Sequence, residues 1–137
     1  MVGYISFDEM HDYISRHYKK DVSFSKVSEK EFCVTFTQKI IIKDVRISVN
    51  IHIDEVKSDS LAFTYSGGMA LDMIISGTLN FLTSKLPELS QGITIGENRK
   101  IHVNLSKIKR AKDIVKNLSL KDLQVEDNAL KLTVALK

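Results

Sequence analysis

The chain has 137 residues, of which 43% are hydrophobic and 27% are charged, and its formal net charge is +3. This size and composition are typical of one globular domain and exclude collagen-like, low-complexity and disordered classes. The single cysteine, Cys33, excludes a disulfide framework and any multi-cysteine zinc or iron–sulfur site. No stretch is apolar over the ~20 residues that a membrane span needs, and the first residues lack the features of a signal peptide, so we expect a cytoplasmic protein.

The first predicted element is a helix that starts after Ser6 and ends at His17 or Tyr18. Ser6 and Glu9 have the Ser-x-x-Glu spacing of a capping box. Apolar residues then recur at three- and four-residue intervals, with acidic residues near the start and basic residues near the end. Periodicity and charge order therefore predict the same helix.

Alternating apolar and polar residues predict strands over the next fifty residues. A short strand is expected at 22–27, another around 32–37, the clearest at 45–54 and a further one through 61–65. The apolar positions are even-numbered before Lys43-Asp44 and odd-numbered after it. Because Lys-Asp is a poor hairpin turn, this change of phase favours a bulge or a bend within a strongly curved antiparallel sheet.

A long helix is predicted between the Gly67-Gly68 turn and Pro87, with a length of about 28 Å. Within it, Asp72 is the only charged residue before Lys85. A helix that covers one face of a sheet usually has a broad charged outer face. We therefore expect this helix to be buried on more than one side.

The last third predicts strands at 93–96 and 101–105, a short basic helix from Ser106 to Val115 or Asn117, and a closing hairpin over 118–136. The complete order predicts an α+β fold in a single domain, 1–137. In it, one curved antiparallel sheet wraps around the long apolar helix, and a short N-terminal helix is added.

The polar residues form no catalytic motif and have no metal-ligand spacing, so no catalytic residue, metal or cofactor is predicted. His52 and His102 lie on polar strand faces and would be neighbours if their strands paired. An enzyme would need one of them to meet Asp54 or another carboxylate in a pocket. Surface positions are the favoured interpretation for the histidines, and a half-buried structural position for Cys33.

The uncharged helix is the basis of the leading functional hypothesis. Packed against a β-branched sheet, it would leave an apolar cavity, and methionine side chains adapt to the shape of a ligand. The candidate ligand-binding residues are Met69, Met73, Ile74, Phe81 and Leu82. A filled core combined with a dimer contact is the alternative for the same surface.

The segment from Arg99 to Lys121 is strongly basic, with eight Lys or Arg against the single acid Asp113, a net charge of +7. The predicted short helix places its basic residues on the outer face: Lys109, Arg110, Lys112 and Lys116. That face suits an anionic headgroup or a membrane surface, and it is equally compatible with a solvated helix. Nucleic acid is not favoured as a partner, because no aromatic residue accompanies the basic ones.

The closing segment Ile101-His-Val-Asn-Leu-Ser-Lys-Ile, a helical link and Leu118 to Val134 together resemble the end of tubular lipid-binding (bactericidal/permeability-increasing-like) domains. The order of elements is also similar. The resemblance implies a curved sheet around a long helix, and helix-grip and cystatin-like folds remain alternatives. The predicted function is non-catalytic binding of a lipid or fatty acyl chain, and the alternative is a protein-interaction or homodimer module.

Overall fold

The computed structural model describes residues 1–67 and 71–137, with all their side chains except those at positions 38–40, 82–83 and 110. Three α-helices are present in this part: α1 (Phe7–Tyr18), α2 (Leu71–Lys85) and α3 (Lys109–Asn117). Short 3-10 helices occupy Pro87–Gln91, Glu97–Arg99 and Leu105–Lys107. The capping box of α1 is confirmed, because Ser6 Oγ accepts the Glu9 N–H at 3.0 Å and the Glu9 carboxylate accepts the Ser6 N–H.

The strands form two antiparallel sheets. Their bounds are β1 Val2–Ser6, β2 Val22–Ser28, β3 Glu31–Ile40, β4 Lys43–Val56, β5 Ser60–Gly67, β6 Ile93–Ile95, β7 Lys100–Asn104, β8 Leu118–Val125 and β9 Ala129–Leu136. The larger sheet has the order β2-β3-β4-β5-β7-β6, and the smaller one has the order β1-β9-β8. Strand β1 was not predicted, since its partner β9 lies at the other end of the chain.

The predicted architecture of one curved sheet wrapped around a long apolar helix is wrong. Two separate sheets are present, and α2 has 15 residues, or about 22 Å. Within the described chain, the most extensive contact of α2 is with the 3-10 helix that follows it, not with a strand. Among the described side chains of α2, Leu71 alone is fully buried, whereas Met73, Ser76 and Thr78 are exposed. The absence of charge predicts burial on more than one side, but uncharged and small side chains are also common at protein surfaces.

The change of phase at Lys43-Asp44 comes from a hairpin and not from the predicted bulge or bend. Ile40 pairs with Lys43, so Ile41 and Ile42 form the turn between β3 and β4. Each residue of β3 pairs with a residue of opposite parity on β4, as Phe32 does with Ile51. The even positions of β3 and the odd positions of β4 therefore lie on the same face of the sheet. Two β-branched residues are an unfavourable turn sequence, so sequence patterns do not predict this hairpin.

One face of the larger sheet carries both buried clusters. The first contains residues from α1 and from both sheets: Phe7, Phe32, Ile53, Leu123 and Val125. The second contains Val49, Tyr65 and Leu71. The smaller sheet and α1 therefore cover one end of the apolar face, and the start of α2 covers the other end.

The two sheets meet where the β2–β3 and β4–β5 turns reach β8. The Val125 N–H donates to the Glu29 carbonyl at 2.8 Å, and the Leu120 N–H donates to the Ser58 carbonyl at 2.9 Å. These bonds use backbone donors that an edge strand would otherwise leave free. The edge of β8 is thereby closed by the larger sheet.

An ion pair reinforces the same junction. Lys30, in the β2–β3 turn, donates to Asp122 Oδ1 at 2.5 Å and to the Leu123 carbonyl at 2.9 Å. The hydrogen bond from Lys30 holds the pKa of Asp122 below its ordinary value, although partial burial opposes it. The ion pair therefore favours the ionised form of Asp122 in the folded protein.

Candidate functional site

The start of α2 is fixed to the larger sheet by one apolar and one polar contact. Leu71 is 1% exposed and packs against Val49 and Tyr65. The hydroxyl of Tyr65, itself 3% exposed, donates to Asp72 Oδ1 at 2.9 Å. Burial and the neighbouring Asp72 carboxylate raise the pKa of Tyr65, which keeps the phenol protonated as the donor. Arg99 Nε lies 3.4 Å from the same carboxylate oxygen, so three elements converge on Asp72.

Beyond this anchor, α2 separates from the sheet and leaves an open groove of about 290 Å³, here called the α2–β6 groove. Its six lining residues come from α2, the following 3-10 helix and β6: Ser76, Leu79, Asn80, Ser90, Ile93 and Ile95. Three of them are apolar, three are uncharged polar, and none is ionisable. The groove is near the lower end of the volumes that small-molecule sites have.

The predicted ligand-binding residues whose side chains the structure describes do not line this groove. Met73 is 72% exposed, whereas Ile74 and Phe81 are half-buried. The Phe81 ring packs on Tyr18 of α1, with ring centroids 5.9 Å apart. Met69 lies outside the described residues, and so does the side chain of Leu82.

Sequence reasoning missed the strand side of the groove. Ile93 and Ile95 lie on β6, a strand of three residues at the edge of the larger sheet. Their spacing of two was the available signal, and it did predict the strand. It could not show that α2 lies opposite, because that depends on the tertiary arrangement.

The basic segment divides into a paired part and an unpaired part. Arg99 is paired with Asp72 at the start of α2, and Lys100 is paired across the larger sheet, with its Nζ 3.2 Å from Asp54 Oδ2. Three lysines of α3 have no ion-pair partner within the described part of the chain: Lys109, Lys112 and Lys116. The side chain of Arg110 is outside the description.

A second open groove, of about 430 Å³, borders α3. Its lining combines three lysines with two carboxylates and two further residues: Lys112, Lys116, Lys137, Asp59, Asp113, Ser106 and Val115. It shares no lining residue with the α2–β6 groove. A cationic surface and an uncharged groove therefore lie at separate places on the molecule.

The open face of the larger sheet carries a row of polar residues across four strands. The register places Glu31 opposite His52, His52 opposite Thr64, and Thr64 opposite Lys100. His52 Nδ1 lies 3.4 Å from Glu31 Oε1, and its Nε2 lies 3.8 Å from Asp54 Oδ1. Burial raises the pKa of Asp54, but hydrogen bonds from Thr64 and Lys100 outweigh it and bring that pKa below its ordinary value.

This row brings His52 close to Asp54, as an enzyme would require, but on an exposed sheet and not in a pocket. The His52 side chain is 48% exposed. His102 pairs with Ala62, so β5 separates the two histidines that were expected to be possible neighbours. Among residues 1–67 and 71–137, no three His, Cys, Asp or Glu side chains are placed to hold a metal ion.

Two further observations bear on function. None of the described helices is both long and apolar enough to span a membrane. Comparisons with protein-family models, curated proteins and solved structures found no match to this chain. A functional assignment therefore has to come from the geometry of the chain itself.

Proposed function

We propose that this protein binds an apolar ligand, a lipid or a fatty acyl chain, in the α2–β6 groove and catalyses no reaction. The observation that carries the proposal is the lining of that groove, where Leu79, Ile93 and Ile95 provide apolar contacts and no side chain is ionisable. An acyl chain can enter such a groove without stripping water from a charge. The three uncharged polar residues of the lining, Ser76, Asn80 and Ser90, can orient a ligand by hydrogen bonds.

The outer face of α2 extends the uncharged surface. Helical spacing places Met73 on the same face as Ser76 and Asn80, one turn before the groove. Its exposed thioether chain can adapt to a bound chain. Covering about 200 Å² of apolar surface would contribute roughly 5 kcal/mol before the ordering costs of binding. The proposal thus predicts weak binding, with a Kd of about 0.2 mM or higher from this contact alone.

The second part of the proposal is that the cationic face of α3 contacts anionic lipid. Lys109, Lys112 and Lys116 are exposed and would attract an anionic headgroup or an anionic membrane surface. Because the two grooves share no residue, we assign α3 to the membrane or to a headgroup and not to the acyl chain. A cytoplasmic location is part of the same proposal and is supported by the single free cysteine.

The test begins with native mass spectrometry of freshly purified protein, followed by solvent extraction and lipid analysis. Binding is then measured by titration with a fluorescent fatty acid, using wild type, Ile95→Asp and Ile42→Asp. Ile95 lines the groove, whereas Ile42 is 91% exposed at the β3–β4 turn and serves as the matched control.

We expect saturable binding that Ile95→Asp weakens by about tenfold or more, because a carboxylate replaces apolar contact area. Ile42→Asp should bind the fatty acid like wild type. Equal affinity for wild type and Ile95→Asp, or no saturable binding by wild type, would refute the proposal.

Self-association is the second candidate, and the edge of β1 favours it. Three edges of the two sheets are blunted: His11 donates to the Val22 carbonyl on β2, β8 is closed by turns, and β6 has three residues. By contrast, β1 lacks any charged residue or proline, and its residues Val2, Tyr4 and Ile5 are at least half exposed. Natural edge strands usually carry such protection.

The hydrogen-bond pattern defines how two copies would pair. The Phe7 N–H donates to the Asn128 carbonyl just before β9, and Met1 bonds to Val134 of β9. The alternate residues Val2 and Tyr4 therefore direct their N–H and C=O groups to the free edge. Pairing two β1 strands around Gly3 would join both smaller sheets. Sedimentation should then show a dimer that Tyr4→Lys dissociates and that Val27→Lys, at another half-exposed site on the edge strand β2, does not. A wild-type monomer at every concentration would exclude this candidate.

A further inference from the structure

The turn between β3 and β4 exposes two large aliphatic side chains. Ile41 is 89% exposed and Ile42 is 91% exposed, the highest values among the large apolar residues of the described chain. Both follow directly after the last paired residue, Ile40, whose partner is Lys43. We call Ile41 and Ile42 the hairpin tip. Neither side chain contributes to the buried clusters of the fold.

The backbone of the hairpin tip is also unfavourable for isoleucine. Ile41 has a φ of 60°, and it occupies the first central position of a two-residue turn, where glycine is the usual residue. A β-branched residue in the left-handed region is strained. Polar turn residues would give a more stable hairpin, so stability does not account for two isoleucines here. Local strain combined with exposed apolar surface is typical of functional sites.

Cations flank the hairpin tip. Lys39 and Lys43 stand on either side of it in the sequence, and Arg46 follows on β4. Asp44 is the single acid between positions 38 and 46, so this segment has three basic residues and one acidic one. Lys43 and Arg46 are exposed, without an ion pair in the described part of the chain. The register places Lys39 opposite Asp44, so Lys43 and Arg46 give the segment beside the tip its net positive charge.

We propose that the hairpin tip inserts into the surface of an anionic lipid bilayer. Two protruding side chains are far smaller than the roughly 800 Å² that each partner of a stable protein interface contributes. The bilayer interface, however, accepts single aliphatic side chains and attracts cations beside them. This membrane contact goes beyond ligand binding in the α2–β6 groove and would hold without it.

The absence of tryptophan from the chain allows a direct test. Ile42→Trp places the only indole at the hairpin tip, and Val27→Trp places it on β2, where Val27 is 52% exposed and outside both the tip and α3. Each variant is mixed with phosphatidylcholine vesicles that contain or lack about 30% phosphatidylglycerol. We expect a blue shift and quenching by brominated lipid for Ile42→Trp with anionic vesicles, and neither for Val27→Trp. No shift at Ile42→Trp, or a shift only at Val27→Trp, would overturn the proposal.

A second variant separates insertion from folding. Ile41→Gly combined with Ile42→Ser removes the strain and the apolar surface together, so its melting temperature should rise above that of wild type. Its partition into anionic vesicles should fall by about tenfold or more. Unchanged partition of this folded variant would overturn the proposal, as would protection of the tip by another polypeptide instead of lipid. Ile95→Asp should keep vesicle binding, which distinguishes failure of the groove from failure of the tip.

Discussion

Leu71→Ala should detach α2 from the larger sheet. Leu71 is 1% exposed, and a Cβ added to Gly67 would lie 3.1 Å from Leu71 Cδ2, so the side chain is closely surrounded. Truncation of a buried leucine lowers the free energy of unfolding by about 2–5 kcal/mol, through lost apolar burial and the cavity left behind. Because the cluster has only two other buried members, Val49 and Tyr65, we expect about 3 kcal/mol. Alanine has the highest helix propensity, so a change in propensity does not add to this loss of stability.

The assay is urea unfolding followed by circular dichroism, with Met73→Ala as the matched control on the same helix. Met73 is 72% exposed, so its truncation should change the free energy of unfolding by no more than about 0.5 kcal/mol. The melting temperature of Leu71→Ala should fall by about 10 °C. Faster amide hydrogen exchange in α2 of this variant would locate the effect. Equal, small losses for both variants would refute the claim that Leu71 anchors α2.

The junctions elsewhere in the fold give two further predictions. Gly92→Ala should lower the melting temperature, because its Cβ would lie 2.3 Å from Ile108 Cγ1, whereas Gly77→Ala, with nothing within 4 Å, should raise it. Lys30→Met should destabilise the protein at pH 7 by about 1 kcal/mol, a modest figure because the ion pair is partly exposed. The lowered pKa of Asp122 makes this contribution complete above the ordinary value of 3.8, and it is lost as pH falls through the folded-state pKa. The free energies of unfolding of wild type and Lys30→Met should therefore converge at low pH, and a difference that stays constant with pH would contradict the role given to Asp122. For the two glycines, the contradicting result is a fall in melting temperature for Gly77→Ala as large as that for Gly92→Ala.

Elements that depend on local chemistry could be predicted from the sequence. The capping box and apolar spacing of α1 lie within a dozen residues, and both are confirmed. The alternation over 45–54 placed Val49 and Ile53 on the buried face of β4, where the structure has them. Such patterns are readable because the period of the side chains is set by the backbone of the element itself.

The candidate site was only partly predictable for the same reason. The sequence indicated an uncharged helix and drew attention to Met73, but it could not show that the outer half of this helix faces solvent beside β6. Residue type alone does not separate a buried uncharged face from an exposed one, because the decision rests on what packs opposite. Leu79 and Ile95 became groove residues only through that packing.

The amino-acid sequence by itself determined the local elements, the alternating faces of the strands and the excess of positive charge in the last third. The tertiary structure decided which strands share a sheet, where the chain turns at Ile41 and Ile42, and that β1 pairs with β9. It also divided the basic segment, since Lys100 meets Asp54 from a strand distant in sequence, whereas Lys112 faces solvent. The physical reason is the range of the interactions. The periodicity of a segment shows which of its faces is apolar, whereas contacts between residues far apart in the sequence determine which element packs on that face.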